Sequence, residues 1–291
     1  MRGAVIINPK SGRGTALAPA DKAAIAAEVA AACGVGLEVL LTERAGHGRE
    51  LAERFAAAGV DTVVAWGGDG TVNEVAGAVA GTGAAFGIVP AGSGDGFATT
   101  LGIARDPRAA LRAAFAGTMR PLDVGEVNGR PFLNIAGIGF DARVARRFNL
   151  LSRRGGLPYL LIGLHEGLTY GGRQYRVHLD DQPFDLRAFL IVFANGQQYG
   201  NNAIIAPGAR FDDGLLDALI VDARPFFPQL WRARRLFMGR DKAIKGIVRQ
   251  AVKRAVVESD EPIEIHLDGE CVAAETRIEV GVRPGALKLR M

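Results

Sequence analysis

An eight-residue glycine loop, Gly67–Glu74 with the sequence GGDGTVNE, carries the clearest chemical signal in the chain. It follows a strand-like segment and opens a helix-like one, and its three glycines let the main chain turn sharply and approach a bulky anion. The N–H groups in the first turn of that helix would face a phosphate. Thr71 and Glu74 have the spacing of a capping box, which predicts where the helix begins. A carboxylate on Asp69 beside phosphate requires a bridging cation, so the loop predicts phosphate and Mg²⁺ rather than an ordinary turn.

Two more glycine loops follow predicted strands. Gly92–Gly96 (GSGDG) opens the next helix, and Asn8–Gly14 (NPKSGRG) closes the first strand. Adjacent parallel strands deliver their loops to the same edge of a sheet, where ligands of open α/β sheets bind. None of the three loops has the spacing of a P-loop or of the G-x-G-x-x-G fingerprint, which excludes a Walker NTPase and a typical dehydrogenase. The pattern predicts a nucleotide held mainly by backbone groups.

The second half of the chain contains two acidic turns, Asp212–Gly214 and Asp268–Glu270. Because Asp-Gly is a common turn dipeptide, the residues alone favour hairpin turns over a metal or catalytic site. The four histidines lack the spacing of zinc ligands, and neither Cys33 nor Cys271 lies beside a motif-placed base. The sequence therefore predicts neither a zinc site nor a thiol nucleophile.

The elements that would position these loops alternate between strands and helices over the first 120 residues. Strands whose apolar residues do not alternate, separated by helices, indicate a parallel sheet covered on both faces. The predicted strands are Val5–Ile7, Leu37–Leu41, Thr62–Trp66 and Phe86–Val89, and the predicted helices are Ala16–Ala32, Gly48–Ala58, Val72–Ala80, Phe97–Leu101 and Ala109–Phe115. We expect an α/β nucleotide-binding domain here.

The pattern changes near Pro121–Asp123, after which strands predominate and indicate a mostly antiparallel, β-rich domain. The predicted strands are Phe132–Ile138, Tyr175–Leu179, Ala188–Ala194, Leu215–Val221, Ala255–Glu258 and Ile263–Leu267, with helical stretches over 141–170 and 226–239. The expected domains are therefore 1–122, joined by a returning tail at 284–291, and 123–283. Because no Gly/Ser-rich linker separates them, we expect a tight hinge and a cleft.

Composition excludes several classes of protein. Of the 291 residues, 48% are hydrophobic and 23% are charged, which excludes a disordered chain. The apolar run Leu157–Leu164 is far shorter than the roughly 20 residues that a transmembrane helix needs. The N-terminal residues do not have a signal-peptide pattern, and two cysteines cannot form a disulfide framework, so a cytoplasmic location is expected.

Basic residues are clustered, although the net charge is only +4. Residues 143–154 contain five arginines and no acid, and residues 224–254 contain ten lysines and arginines against Asp241 alone. One interpretation is a solvated surface, and the other is attraction to a nucleotide, an anionic membrane or a nucleic acid. The clusters lack the aromatic interleaving of single-strand binders, so no nucleic-acid partner is predicted.

Together, these motifs resemble the diacylglycerol kinase catalytic-domain family, which includes bacterial soluble lipid kinases and the sphingosine and ceramide kinases and is related in fold to NAD kinases. The resemblance runs from about Ala4 to Arg290, with motifs in the family's order and at its usual intervals. They are IINPKSGRG at 6–14, TERAGHGREL at 42–51, GDGTVNEV at 68–75, VPAGSGDGFATTLGI at 89–103, LDVGEV at 122–127, NIAGIGFDARV at 134–144, FDDGLLD at 211–217 and LDGE at 267–270. The resemblance implies an α/β domain and a β-sandwich-like domain, with ATP in the cleft between them.

The family's functional residues carry over by position. The resemblance implies that Asp69 organises the phosphates and Mg²⁺, that Asp123 contributes to the same acidic site, and that Glu270 is the general base for a lipid hydroxyl. The implied ATP-binding residues are Asn8, Pro9, Lys10, Ser11, Gly12, Thr42, Gly68, Asp69, Gly70, Thr71, Val72, Asn73, Glu74 and Ser93. A second, structural Mg²⁺ would bind the Asp213 carboxylate and the backbone carbonyls of Arg210 and Leu215. Both acidic turns thereby gain a function that their residues alone do not favour.

One segment departs from the family pattern. Many bacterial diacylglycerol kinases carry G-T-x-N-D-F-A-R where this chain has GSGDGFAT at 92–99, so the family's Asn, Asp and Arg are here Asp95, Gly96 and Thr99. The form P-A-G-S-G is more similar to the sphingosine and ceramide kinase branch. The identity of the lipid stays open, as does the choice between Glu270 and Asp69 as the base.

The expected function is ATP- and Mg²⁺-dependent phosphorylation of the primary hydroxyl of a lipid such as diacylglycerol or a sphingoid or ceramide lipid. The alternatives are a kinase for a soluble acceptor such as NAD and a non-catalytic nucleotide-binding regulator; intact Asp69, Asp123 and Glu270 argue against the regulator. The basic, leucine-rich stretch Phe148–Tyr170 is expected to bind a membrane surface peripherally, or alternatively to cap the core of the second domain. A homodimer is left open.

Overall fold

The computed structural model describes residues 1–12, 17–92, 94–149, 165–198, 204–225, 228, 232, 235, 244–273 and 275–291. These residues form two compact units, the first made of 1–124 and 283–291 and the second of 125–282. The boundaries expected from the sequence, 1–122 with 284–291 and 123–283, lie within two residues of these.

The strands and helices follow one another in the predicted alternation over the first unit, and strands predominate in the second. The strands are β1 (Arg2–Ile7), β2 (Gly36–Leu41), β3 (Thr62–Gly67), β4 (Ala85–Pro90), β5 (Met119–Val127), β6 (Arg130–Phe132), β7 (Ile135–Gly139), β8 (Arg173–Leu179), β9 (Gln182–Ala194), β10 (Leu216–Asp222), β11 (Ile247–Val252), β12 (Arg254–Ile263), β13 (Ile265–Leu267), β14 (Glu270–Cys271) and β15 (Glu275–Arg290). The helices are α1 (Pro19–Ala32), α2 (His47–Ala57), α3 (Asp69–Val79), α4 (Gly96–Thr100), α5 (Pro107–Ala116) and α6 (Phe140–Asn149). None of the helices in the described ranges combines the length and the hydrophobicity of a transmembrane span.

The first unit is built on a parallel sheet with strand order β2-β1-β3-β4, and the end of β15 joins it beside β4. All six residues of β3 are buried, as expected of a central strand in a parallel sheet. Val5, Val64 and Trp66 pack in one apolar core with residues of α1 and α5. The α/β interpretation of this half is confirmed.

Two helices of this unit begin at recognisable sequence signals. Both α1 and α5 have a proline in their first turn, where its missing N–H costs nothing. Asp106 is the N-cap of α5, and its carboxylate accepts the Ala109 N–H at 2.8 Å. The helix predicted from Ala16 begins at Pro19; residues 13–16 lie outside the described residues.

The second unit is antiparallel. Its strands have the order β14-β13-β7-β9-β8-β12-β15, and β10 pairs with both β9 and β11. Phe132, Tyr175 and Phe193 are buried in an apolar cluster drawn from most of these strands. This confirms the β-rich interpretation, although β5, β11, β14 and β15 are not predicted by the sequence pattern.

The strand predicted over Phe132–Ile138 is in fact two strands, β6 and β7. The reason is that the N–H groups of Leu133, Asn134 and Ile135 bond to the carboxylate of Asp268. A short apolar run cannot reveal such an interruption, because its cause lies far along the chain.

The helical prediction over 141–170 is partly tested. Helix α6 is described over Phe140–Asn149 and residues 165–169 are helical, whereas 150–164 lie outside the described residues. The predicted membrane segment Phe148–Tyr170 therefore falls largely outside them. So does most of the helical prediction over 226–239, of which only 228, 232 and 235 are described.

Candidate active site

The two principal glycine loops of the first unit lie against each other. Strands β3 and β4 are neighbours with Gly67 opposite Pro90, and the Ala91 N–H donates to the Gly67 carbonyl at 2.9 Å. A Cβ added at Gly92 would lie 2.8 Å from the Cα of Gly68, which is closer than two carbon atoms that are not bonded to each other can approach. Gly92 therefore needs to be glycine, and a Cβ at Gly68 would lie a tight 3.2 Å from the Cα of Gly92. The predicted meeting of these loops at one sheet edge is confirmed.

Asp69 is the first residue of α3 and is half-buried. The N–H groups of Asp95, Gly96 and Phe97, at the start of α4, bond to its carboxylate. Burial raises the pKa of Asp69, and these N–H groups act in the opposite direction. The second glycine loop thus fixes the orientation of the Asp69 carboxylate. The sequence of the loop that carries Asp69 does not predict this contact.

Asp95 forms an acidic pair with Asp69 that the site prediction missed. Its backbone is left-handed (φ +46°), it is only 4% exposed, and both of its carboxylate oxygens lie 3.0 Å from the Gly92 nitrogen. Burial and then the charge of Asp69 raise the pKa of Asp95 to about 6. The replacement of the family's Asn by Asp95 was the available signal, because it adds a second carboxylate to the loop.

The loop after β1 is tied to α3. The Asn8 N–H donates to the Trp66 carbonyl at 2.9 Å, and the Asn8 side-chain amide donates to the Thr71 hydroxyl at 3.0 Å. The Asn8 side-chain oxygen accepts the Lys10 N–H at 2.9 Å, which shapes the loop through Pro9. All three glycine loops predicted from the sequence therefore belong to one end of the parallel sheet.

Lys22 supports this first loop and was missed by the sequence analysis. It lies on α1, is 3% exposed, and its ammonium donates to the carbonyl of Ser11 at 3.1 Å. Burial lowers the pKa of Lys22. The signal was the helical spacing of the buried residues Lys22, Ala26, Val29 and Ala30, which puts Lys22 on the apolar face.

The predicted capping box at Thr71 and Glu74 is wrong. Helix α3 begins at Asp69 after Gly68 as N-cap, so Thr71 already lies inside the helix. The carboxylate of Glu74 instead accepts the Gly46 N–H at 2.7 Å and the Gly48 N–H at 2.9 Å. It caps the neighbouring helix α2, because residues one turn into α3 face α2 rather than their own N-terminus.

The remaining predicted nucleotide contacts differ in exposure. Thr42 is buried and its N–H donates to the Ile7 carbonyl at 2.9 Å, whereas Gly70 is exposed. Val72 packs in the core, so only its backbone could reach a ligand. Gly12 has a left-handed backbone (φ +84°), and Asn73 is half-buried. Ser93 lies outside the described residues.

Asp123 is buried in β5, where its carboxylate accepts the Gly285 N–H at 2.8 Å. Its observed bond therefore holds the returning C-terminal strand in the first unit. A contribution of Asp123 to an acidic site with Asp69 stays a prediction.

In the second unit, Asp268 and Gly269 form the turn between β13 and β14. Both have left-handed backbones (φ +48° and +88°), as a two-residue type I′ turn requires. The hairpin expected from the Asp-Gly dipeptide is confirmed. Burial raises the pKa of Asp268, while the N–H groups of residues 133–135 act to lower it. Glu270 follows as the exposed first residue of β14.

The predicted structural Mg²⁺ site lies on the loop before β10. The Asp213 carboxylate accepts the Leu215 N–H at 3.0 Å, and Arg210 pairs with Asp212 at 3.2 Å. Burial raises the pKa of Asp217, with Arg249 lowering it and the charge of Asp213 raising it further. An exposed carboxylate near a second acid, with backbone carbonyls of the same loop, is a hard oxygen donor set that fits Mg²⁺. Among the described residues, no group of three or more His, Cys, Asp or Glu side chains could hold a metal, so an ion at this loop would depend on backbone carbonyls as well as on the Asp213 carboxylate.

Models of protein families match nearly the whole chain. The diacylglycerol kinase catalytic domain matches residues 2–127, and the YegS C-terminal NAD kinase beta sandwich-like domain matches residues 134–291, over half of the chain. The chain belongs to the YegS-like lipid kinase family. The resemblance inferred from the motifs is confirmed.

Other YegS-like proteins align with this chain over most of their length. A Pseudomonas aeruginosa protein named "Probable lipid kinase YegS-like" is 37% identical over 275 residues, covering 93% of this chain and 89% of that protein. A Chromohalobacter salexigens protein of the same name is 34% identical, covering 87% and 83%. A Salmonella arizonae protein named "Probable lipid kinase YegS" is 30% identical, covering 89% and 87%.

Solved structures share the fold of this YegS-like chain. The crystal structure of a diacylglycerol kinase from Bacillus anthracis has a TM-score of 0.75 at 22% identity, covering 99% of this chain and 96% of that one. A second structure from the same organism has a TM-score of 0.79 at 24% identity. At these identities the likeness establishes the diacylglycerol kinase-like fold and nothing about substrate.

Proposed function

We propose that this YegS-like protein transfers the γ-phosphate of ATP, with Mg²⁺, to the primary hydroxyl of a lipid such as diacylglycerol or a sphingoid or ceramide lipid. The observation that carries the proposal is the contact of the Gly68 and Gly92 loops around the Asp69 carboxylate, at the end of a parallel sheet. Backbone N–H groups in such loops bind phosphate. Membership in a lipid kinase family supports a lipid as the acceptor.

The proposed ATP contacts are the loop 8–12, Thr42, Gly68–Glu74 and Ser93. Asn8 and Glu74 would act mainly by holding these loops, because the Asn8 amide is bonded to Thr71 and the Glu74 carboxylate to the start of α2. Gly68 leaves the main chain open to phosphate. Bound ATP supplies the phosphoryl group, and Mg²⁺ offsets its charge, so the chain contributes mainly positioning and electrostatic stabilisation.

Glu270 is the proposed general base. It is an exposed carboxylate at the end of a rigid hairpin turn, and a carboxylate within reach of an alcohol accepts its proton as the phosphoryl group arrives. Asp69 is the alternative, because burial raises its pKa and makes it a stronger proton acceptor. We favour Glu270, since three N–H groups already hold the Asp69 carboxylate as an acceptor.

Two Mg²⁺ positions belong to the proposal. Asp69 would hold the catalytic ion, with a contribution from Asp123. Burial and then the charge of Asp69 raise the pKa of Asp95, and a bound cation would offset the repulsion between these two carboxylates. The structural ion would bind the Asp213 carboxylate. The backbone carbonyls of Arg210 and Leu215 would complete that second donor set.

Peripheral membrane binding through Phe148–Tyr170 is proposed as the route to a lipid. In the neighbouring helix α6, Arg146 pairs with Glu264 at 3.3 Å and Arg147 pairs with Glu166, so part of the basic cluster is neutralised within the unit. Sedimentation with phosphatidylcholine vesicles, with and without phosphatidylglycerol, tests the proposal. Binding should require the anionic lipid and weaken with salt, and the double variant R153A/R154A should bind less than R277A, a change at an exposed arginine elsewhere. Binding independent of charge contradicts it.

The decisive experiment for the function is transfer of labelled phosphate from ATP to a panel of diacylglycerol, ceramide, sphingosine, monoacylglycerol and NAD. We expect label in one or more lipids and a requirement for Mg²⁺. Label in NAD alone would overturn the proposal in favour of a soluble acceptor. ATP binding without label in any acceptor would instead identify a non-catalytic nucleotide-binding protein.

A further inference from the structure

A buried histidine–aspartate pair lies beneath the hairpin that carries Glu270. His266 on β13 is 2% exposed and Asp141 on α6 is 7% exposed. The Nε2 atom of His266 lies 2.7 Å from the Oδ2 atom of Asp141. The Nδ1 atom of the same ring accepts the Gly269 N–H at 3.0 Å. The imidazole thus connects helix α6 to the turn residue directly before Glu270.

The hydrogen bonds determine the proton position on the ring. Because Nδ1 accepts a hydrogen bond from a backbone N–H, it carries no proton, and the single proton of the neutral ring lies on Nε2. The Nε2–H group then donates to Asp141, and that carboxylate stabilises this tautomer. Transfer of the proton to Nδ1 would set two N–H groups against each other and release Gly269.

A glycine in the facing strand leaves the space that this pair occupies. Gly137 lies opposite His266 in the pairing of β7 with β13. A Cβ there would lie 2.1 Å from the Oδ2 atom of Asp141 and 2.5 Å from the Nε2 atom of His266. Gly137 and Asp141 both belong to the segment NIAGIGFDARV, to which the sequence analysis assigned no function.

A second set of bonds holds the other side of the turn. The Asp268 carboxylate accepts the N–H groups of residues 133–135 at 2.6 to 2.9 Å. Asp268 therefore fixes the turn to the start of β7, and His266 fixes Gly269 to α6. Asp268 is thus held by its own carboxylate and Gly269 by the buried ring of His266. Because Glu270 follows these two residues directly, the direction of its backbone is restrained.

We infer that Asp141 and His266 are positioning residues that orient Glu270 for proton transfer, acting through the Gly269 N–H. This inference rests on the proposed role of Glu270 as general base. Neither residue is proposed to exchange a proton with the substrate. Burial acts to lower the pKa of His266 and the adjacent Asp141 carboxylate raises it, but a proton on Nδ1 would oppose the Gly269 N–H, so the geometry favours the neutral ring with its proton on Nε2. The pair is therefore expected to affect kcat and to leave the KM for ATP unchanged.

Two substitutions separate the two bonds of the ring. In His266→Asn the amide oxygen can occupy the Nδ1 position and accept the Gly269 N–H, but the side chain does not reach Asp141. In His266→Gln the amide can reach Asp141, but no acceptor remains at the Nδ1 position. If the role of His266 is purely structural, the activity of each variant should follow its stability. His266→Gln should then be both more stable and more active than His266→Asn, because it keeps the buried Asp141 carboxylate paired. The positioning role predicts the opposite order of activity.

The expected result is a kcat about 10- to 100-fold lower in His266→Gln and reduced by less than about fivefold in His266→Asn, with the panel lipid that accepts phosphate. Hydrogen exchange of the Gly269 amide should be faster in His266→Gln than in His266→Asn and wild type. Equal exchange rates in the two variants, or activities that follow their melting temperatures, would overturn the inference. For wild type, ¹⁵N NMR should find His266 neutral with Nδ1 unprotonated; a proton on Nδ1 would overturn it even if neither variant folds.

A double-mutant cycle distinguishes this inference from the proposed function. In a Glu270→Gln background, His266→Gln should add little further loss of kcat, because the group that it orients is already disabled. Losses that multiply would overturn the positioning role while leaving Glu270 as the base. If Glu270→Gln alone keeps the wild-type kcat, the base assignment fails first, and a change in Gly269 exchange then reports only a structural bond.

Discussion

The backbone N–H of Asp95 bonds to the carboxylate of Asp69, while burial and then the charge of Asp69 raise the pKa of the Asp95 side chain. The main chain of Asp95 therefore stabilises the ionised form of Asp69. The charge of Asp69, in turn, disfavours the ionised form of the Asp95 side chain. Two carboxylates are held together at the meeting of the two glycine loops. The consequences of this arrangement can be measured.

Asp95→Asn should stabilise the protein near neutral pH and do so less in acid. The pKa of Asp95 is about 6 in the folded protein against an ordinary value of 3.8, so its contribution to stability is full below pH 3.8 and is lost as the pH rises through about 6. The variant should gain on the order of 1–3 kcal/mol over wild type near pH 7, because an amide carries no charge to bury. Urea unfolding in EDTA across this pH range measures the difference. A stability gap that does not change with pH would contradict the prediction.

Asp69→Asn should abolish phosphate transfer with little loss of stability. The amide oxygen can still accept N–H groups from the start of α4, but the charge that would hold Mg²⁺ is gone, and a loss of at least about 10²-fold in kcat is expected. Glu53→Gln, a change at an exposed carboxylate on α2, is the matched control and should be silent. Asp69→Ala removes the acceptor as well and should also destabilise α4. If the Asn variant melts like wild type and keeps most of its activity, Asp69 is not part of the catalytic site.

Glu270→Gln should lower kcat by about 10² to 10⁴ and leave the KM for ATP nearly unchanged, because it keeps the shape of the side chain and removes its basicity. Steady-state kinetics against ATP and lipid measure both constants. Glu261→Gln, an exposed carboxylate that pairs with Arg173 on the surface of the same unit, is the control and should behave as wild type. Near-normal kcat in Glu270→Gln would transfer the base role to Asp69.

Glu74→Gln should destabilise the first unit by about 1–3 kcal/mol, since the Glu74 carboxylate satisfies two N–H groups at the start of α2. The KM for ATP should rise at the same time, because the loop after Thr42 leads into that helix. Glu50→Gln disrupts only an exposed ion pair with Arg44 and should cost less than about 1 kcal/mol. Thermal unfolding and ATP titration measure the two effects. Equal effects of the two substitutions would show that the Glu74 contact stabilises the protein no more than the exposed ion pair does.

Asp213→Asn should remove a stabilising effect of Mg²⁺ on the second unit. An ion bound only by the folded protein raises its melting temperature with concentration, so wild type should melt higher in Mg²⁺ than in EDTA. The neighbouring Asp212 pairs with Arg210, and Asp212→Asn should keep the response to Mg²⁺. Differential scanning calorimetry of the three proteins is the measurement. A response retained by Asp213→Asn would exclude this loop as the ion site.

Much of the fold and of the candidate site could be predicted from the sequence alone. The glycine loops, the Asp-Gly hairpin and the change from alternating helices and strands to mostly strands are local patterns, because turn geometry and burial periodicity depend on neighbouring residues. The order of the motifs was enough to predict the family, which the comparisons confirm. These features need no knowledge of which distant segments touch.

The tertiary structure alone decided what the site's side chains bind. Glu74 has the spacing of a capping residue, yet its carboxylate bonds to Gly46, 28 residues earlier. Asp268 interrupts a predicted strand at Leu133, 135 residues away, and His266 meets Asp141 across 125 residues. A buried polar group bonds to whichever partner packing brings within about 3 Å, because leaving it unpaired costs free energy. Sequence spacing specifies the element that carries such a group, and only the packing of the elements specifies its partner.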